Sequence, residues 1–446
     1  MATTAAIATK VDFAGKGASE AGPTLADVVA AKNLSSAETR ITALEKILSH
    51  SSMAEETTRA KEHALLALGE QFSELGDGQR LQTLVRTSRE FLNSIPKARA
   101  SKIVRDMVDL LGKIPNALDL QIQTTREVLL WAEEDRSAFF RQSLELRLAA
   151  LLLEARQFSE ATGLIDSLLT EVKRLDDKLL QAELLLLESR VYFELRNYAK
   201  SRASLTAARS SSNAVYCPPP LQAALDMHSG ILHAQENDFK TAFSYFYEAL
   251  EAYTGPKFSD NKQALRSLLY MLLSKIMMGA PEDISVVLGG KAALRIVDHA
   301  DSRAPVEAMR VIAQAAGAAS LSDLRAAREE QPHSAVLSVD PFLSMHLRNL
   351  QSDLLEKSLL RALLPYSRVE LSRIAELVGV DETTIETKIS QMILGKRFRG
   401  VLDQEAGCLE IFDPEDDDTL YVEARGVIEN AGSAVDALFS RVAKLN

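Results

Sequence analysis

Side chains able to do chemistry are sparse and poorly grouped in this chain. Among its seven histidines, His228 and His233 stand five apart, whereas two zinc ligands on one helical face, as in HExxH, need a spacing of four. Both read instead as histidines of helix packing. The triplet Gly289, Gly290, Lys291 has Ser285 where a phosphate-binding GxxxxGK loop needs its first glycine, so it cannot cradle a phosphate on that pattern. Cys217 and Cys408 form neither a disulfide framework nor a CxxC half-site. The acidic run Glu415 to Asp418 reads as a solvated loop rather than a metal or general-acid cluster. LGKRFRG, from Leu394 to Gly400, is the best nucleic-acid candidate, since a basic recognition helix beside a wing is a common DNA reader. The helix leading into it, however, opens with Asp381 and Glu382 and carries Glu386, which would face phosphates unfavourably. The residues therefore nominate no catalytic, metal-binding or cofactor-binding position, and no cofactor.

Composition supports that reading. The 446 residues are 46% hydrophobic and 25% charged, with only 6% aromatics and a net charge of -11. Leu and Ala dominate, and Gly and Pro are sparse through the middle, which favours helix over strand. The negative balance disfavours nucleic acid as the main partner. Two distant cysteines suit a reducing compartment. The N-terminus lacks the basic start and apolar core of a secretory signal. Apolar runs such as those in LAALLLEA and AELLLLES fall short of the roughly 18 residues of a membrane span. A soluble, intracellular protein without membrane contact is expected.

The elements follow from periodicity. Residues 1–24 are small, polar and aperiodic, and read as a disordered tail. From 25 to 280 amphipathic helical patterns succeed one another with short polar breaks. Three breaks align, EARQFSEA, ELRNYAKS and QENDFKTA, whose aromatics Phe158, Tyr198 and Phe239 recur after 40 and 41 residues. Nine residues before each stands Ala149, Ser189 or Gly230, three after it Ala161, Ser201 or Ala242, and seven after it Ile165, Leu205 or Phe246. Small residues at these places let paired helices approach closely, with the aromatic wedged at the turn, as in tetratricopeptide pairs. The period exceeds the usual 34, so the repeats are tetratricopeptide-like. Such pairs cannot bury their faces alone and should stack into an open right-handed solenoid with an extended protein-binding surface.

Beyond Pro281 the helices should be smaller and tighter, followed by a long one from Phe342 to Leu364. A helix from Val369 to Val378, a turn at Gly379, and a helix from Thr383 to Leu394 capped by Asp381 come next. Strands from Gly400 to Asp403 and Cys408 to Phe412, joined by QEAG, complete a winged helix. The strand Cys408, Leu409, Glu410, Ile411, Phe412 is expected to offer an exposed edge for pairing with a partner's strand. Past it, Tyr421, Ala424, Ile428, Ala431, Val435, Leu438, Val442 and Leu445 alternate in steps of three and four. That is an a/d seam sustained over a terminal helix, which asks for other helices. Gly426 and Gly432 each lower its intrinsic helicity by roughly 1 kcal/mol relative to Ala, so its stability should come from partners or from the chain's own solenoid.

A helical-pair solenoid running into a winged helix resembles the PCI family, shared by the proteasome lid, the COP9 signalosome and a translation initiation factor complex. The strings ARSSSNAVYCPPPLQAALDMHSG, FSYFYEALEAY, LLYMLLSKIMM, PYSRVELSRIA, KISQMILGKRFRGVLDQ and IFDPE are similar to the branch of that family found in the lid of the 26S proteasome. The resemblance covers residues from about 25 to the end. It implies an all-α chain with a tetratricopeptide-like solenoid over 25–280. A PCI domain over 281–413 would follow, helical over 281–364 and winged-helical over 365–413, then an acidic linker and bundle helix over 414–446. It further implies a non-catalytic scaffold of cytoplasm and nucleus that bridges other lid PCI subunits, the ATPase ring of the base and the outer ring of the core particle. The chain shows neither an HxH element nor a Cys with a plausible His partner, so isopeptidase activity would belong to another subunit. A signalosome scaffold of the same family and a winged-helix DNA-binding protein are the alternatives. The IFDPEDDD segment favours the proteasome branch.

Overall fold

The computed structural model describes residues 25–32, 36–50, 55–115, 117–134, 137–255, 260–297, 299–329, 340–412 and 419–443. The chain divides into two compact units, one ending at Leu232 and the other beginning at His233. The first holds α1 (Leu25–Lys32), α2 (Ala37–Leu48), α3 (Glu55–Leu75), α4 (Gly78–Asn93), α5 (Lys97–Leu111) and α6 (Leu118–Glu134). It continues with α7 (Ala138–Glu154), α8 (Phe158–Leu175), α9 (Lys178–Glu194), α10 (Tyr198–Asn213) and most of α11 (Pro219–Gln235). From α2 onward most of these helices pack against the helix before and the helix after, which is how a solenoid distributes its contacts.

The repeats are built as their spacing predicts. Ala149 and Ala161 are fully buried where α7 meets α8, as are Ser189 and Ser201 where α9 meets α10. The serine pair does more than make room. Ser189 Oγ donates to the Ser201 carbonyl at 2.7 Å, and Ser201 Oγ returns the bond to the Ser189 carbonyl at 2.8 Å. Each turn closes by one hydrogen-bond pattern. Gln157 N–H reaches the Leu152 carbonyl and Arg156 N–H the Leu153 carbonyl; Asn197 and Arg196 do the same to Tyr192 and Phe193. This is the Schellman arrangement, and its penultimate residue is left-handed at Arg156 (φ 59°) and Arg196 (φ 58°), where glycine is usual. The aromatics Phe158 and Tyr198 open the second helix of each pair and are only half-buried against the unit's core. The wedge expected of the aromatic is therefore corrected at Tyr198: as first residue of its helix, it lies half-buried at the rim of the pair, and Leu205 two turns later is buried instead.

The second unit repeats the turn, with Asp238 N–H on the His233 carbonyl and Asn237 left-handed (φ 65°). It comprises α12 (Phe239–Tyr253), α13 (Asn261–Met277), a 3₁₀ turn (Pro281–Asp283), α14 (Ile284–Leu288), α15 (Lys291–Val297) and α16 (Ala300–Ala318). Then follow α17 (Leu321–Glu329), α18 (Pro341–Leu363), α19 (Leu371–Val378), α20 (Glu382–Leu394) and α21 (Thr419–Ala443). Asp340, which precedes α18, ties that helix to α13: its Oδ2 accepts from the Tyr270 hydroxyl at 2.7 Å and from Arg266 Nε at 2.9 Å. Burial and the Asp340 carboxylate both hold the Tyr270 phenol above its ordinary pKa, so it remains a donor.

The winged helix has three strands where two were expected: β1 (Arg368–Glu370), β2 (Arg399–Asp403) and β3 (Cys408–Phe412), in the order β1-β3-β2. Val369 therefore does not begin a helix. It lies opposite Leu409 in β1, its side chain buried, and α19 starts two residues later. Three residues with a single apolar position are too short to show strand alternation in sequence. The free edge expected of Cys408 to Phe412 is likewise corrected, because β3 is the middle strand and pairs antiparallel on both sides. Gly400 in β2 is required there, since a Cβ would come within 2.7 Å of the Glu410 carbonyl oxygen. Gly379 supplies the left-handed end of α19 (φ 69°) at the expected turn.

Candidate docking surfaces

The residues nominated as a partner-binding set fall into two groups. In the wing, Leu409 is wholly buried, as are Val369 opposite it in β1 and Ile385 and Ile389 of α20, while Cys408 and Ile411 are half-buried. Only Glu410 and Phe412 stand out to solvent, Glu410 beside Arg368 on the adjacent strand, Nε to Oε1 at 3.7 Å. With β3 enclosed, the strands that bound the sheet are β1 and β2, and β2 is the longer, with Val401 exposed. The wing tip is braced: Asp403 Oδ1 accepts from the amides of Glu405 and Ala406, and Gln404 Nε2 reaches Glu386 Oε1 of α20 at 2.5 Å. Lys396 and Arg397 fall beyond the end of α20, in the turn before β2, so the basic LGKRFRG string is not a helix face.

The terminal group behaves differently. Tyr421, Ile428, Val435, Leu438 and Val442 of α21 are all between 56% and 78% exposed, while Leu445 lies outside the described residues, as does the acidic run 415–418. The heptad reading missed that Leu420, Val427 and Phe439 are exposed beside them. At about 100° per residue these positions and the seam together cover a stripe of about 120°, broader than an a/d line and suited to packing against more than one helix. The missed signal was the doubling of apolar residues at 420/421, 427/428 and 438/439.

In the first unit a groove of about 400 Å³ runs across α5, α7, α9 and α11, lined by Leu146, Leu180 and Leu187 with Arg105, Arg147 and Arg190. Arg147 pairs with Asp109 at 2.7 Å. That alternate helices line one groove follows from stacking of helix pairs, in which the first helix of every pair faces one side.

Three of the histidines, His228, His233 and His346, are packing groups. His228 is buried in α11 with Nε2 2.9 Å from Ser189 Oγ, and its ring meets Phe193 edge-on at 5.8 Å. Burial lowers its pKa to about 3, with Arg190 adding to the effect. His233, in the other unit, stacks on Tyr245 at 5.4 Å. His346 is buried against Phe342 and Phe239 with no hydrogen bond to either ring nitrogen among the described residues, and burial takes its pKa to about 4. Among the described residues no three His, Cys, Asp or Glu side chains are grouped to hold a metal, and no helix is long and apolar enough to cross a membrane.

With this geometry in hand, comparison with known proteins is specific. Residues 24–155 match the 26S proteasome regulatory subunit RPN6 N-terminal domain, and residues 330–413 match the PCI domain. The chain is 42% identical over 405 residues to the 26S proteasome non-ATPase regulatory subunit 11 homolog of Arabidopsis thaliana, covering 91% of this chain and 94% of that one. It is 44% identical over 389 residues to the probable 26S proteasome regulatory subunit rpn6 of Schizosaccharomyces pombe, covering 87% and 90%. Against the 26S proteasome regulatory subunit RPN6 of Saccharomyces cerevisiae the identity is 36% over 386 residues, covering 86% and 88%.

Proposed function

The chain belongs to the RPN6 family of 26S proteasome regulatory subunits, and we propose that it serves there as a non-catalytic scaffold of the lid. In this reading it bridges other lid PCI subunits, the ATPase ring of the base and the outer ring of the core particle in ubiquitin-dependent degradation, in cytoplasm and nucleus. A tetratricopeptide-like solenoid over 25–280 reaches the non-lid partners, the PCI domain over 281–413 meets neighbouring lid subunits, and 414–446 supplies a linker and a shared-bundle helix. The observation that carries the proposal is α21. A 25-residue helix whose apolar stripe lies open to solvent gains its stability from association, because helical propensity contributes little in water. Within the wing, the strand offered to a partner is β2, since β3 is already paired on both sides.

Deletion of residues 420–446 tests this. The truncated chain is expected to melt as the full one does and to be missing from the 26S particle when tagged and recovered for mass spectrometry. Incorporation at normal stoichiometry would remove α21 from the assembly mechanism. Recovery with the COP9 signalosome instead would transfer the scaffold role to that complex.

A further inference from the structure

The second unit contains a cleft of about 490 Å³ bounded by α17, α18 and α20, and no carboxylate lines it among the described residues. Polar side chains reach it from all three helices: Arg325 from α17, Arg348 and Ser352 from α18, and Thr383, Thr384, Thr387 and Lys388 from α20. Four hydroxyls and three cations thus meet in one depression between helices. Part of the charge is used internally. Lys388 Nζ lies 2.7 Å from Glu356 Oε1 and 2.6 Å from Ser352 Oγ. Arg325 donates to the Gly379 carbonyl at 3.2 Å, a neutral acceptor that leaves its charge uncompensated. Arg348 is exposed and makes no ion pair among the described residues. Two guanidinium charges thus remain unbalanced in one concavity, in a chain whose net charge is -11.

We propose that this cleft binds a compact small molecule carrying two or more phosphate groups. Guanidinium forks and hydroxyl donors converging from several elements are the groups that hold phosphate oxygens. The volume lies within the usual range of about 300–1,000 Å³ for small-ligand sites. A duplex would need cations in a row along one face to follow its backbone, and here Arg325 and Arg348 come from two different helices onto one open depression. A single phosphorylated side chain carries about -1.5 to -2 charge and leaves most of the cleft unfilled.

The test is calorimetric titration of the full chain with inorganic tripolyphosphate at about 0.15 M salt, with sulfate at matched ionic strength as reference. Arg348→Glu should weaken tripolyphosphate binding at least about ten-fold. Arg361→Glu, the same charge change on the same helix outside the cleft, should leave it within about two-fold. Thr384→Val, which alters no charge, should weaken it to a smaller degree. Tripolyphosphate binding no tighter than sulfate would overturn the proposal, as would equal losses in the two arginine variants. Binding of a singly phosphorylated peptide without binding of tripolyphosphate would overturn it in favour of a phosphoprotein partner.

Discussion

At the scale of single residues, the buried polar groups define how the protein responds to acid. His228 keeps a neutral ring against Ser189, and burial depresses its pKa to about 3, while an unfolded histidine titrates near 6.5. Between those values the unfolded chain binds a proton that the folded chain refuses, so stability is present above about 6.5 and is lost as pH falls. Lowering pH from 7 to 5 should cost the first unit about 2 kcal/mol through this residue alone. Denaturant melts at both pH values check it. His228→Gln keeps a hydrogen-bonding side chain without a titratable ring and should reduce that pH-dependent loss by about the same amount. His346, depressed to about 4, makes the second unit acid-sensitive with the same sign.

At the scale of the element, the repeating unit is as much a turn as a helix pair. Arg156, Arg196 and Asn237 each occupy a left-handed position two residues before the aromatic that begins the next helix. Sequence spacing marked the aromatic because its ring is distinctive, and it passed over the arginines because arginine is an uncommon choice for positive φ. Arg196→Gly should stabilise the first unit by up to about 1 kcal/mol, relief of backbone strain being partly offset by a more flexible unfolded chain. Tyr198→Ala should cost about 2 kcal/mol, since the ring is half-buried. Phe246→Ala, wholly buried in the second unit and edge-on to Tyr270 at 5.4 Å, should cost about 3–5 kcal/mol. Thermal melts of the three variants rank them, and a Tyr198→Ala loss as large as that of Phe246→Ala would return the aromatic to the centre of the pair.

At the scale of the whole molecule, the assembly role proposed for α21 can be tested apart from folding. Among the described residues no side chain of α21 is buried, so Val435→Asp should leave the melting of the free chain within about 0.5 kcal/mol of the parent. In a helical bundle the same change buries an unpaired carboxylate, which costs several kcal/mol and should strongly reduce recovery of the variant in the 26S particle. Equal incorporation of Val435→Asp and the parent would show that the stripe stays exposed in the particle.

Local and periodic features were legible in the residues themselves. Helical periodicity, the small residues at 149, 161, 189 and 201, the turn at Gly379 and the order of helix, helix and wing all depend on neighbours within about one repeat, so their spacing survives in the linear text. Family membership was legible for a related reason, since long strings preserve side chains that pack together. What only the tertiary structure decided was pairing at a distance. β1 joins β3 across about forty residues, as Arg368 opposite Glu410 shows, and three residues of strand leave no periodic trace. The cleft of Arg325, Arg348 and Lys388 likewise draws on three helices separated in sequence. Each cation alone reads as an ordinary solvated side chain, and only the packing of α17, α18 and α20 brings their charges into one place.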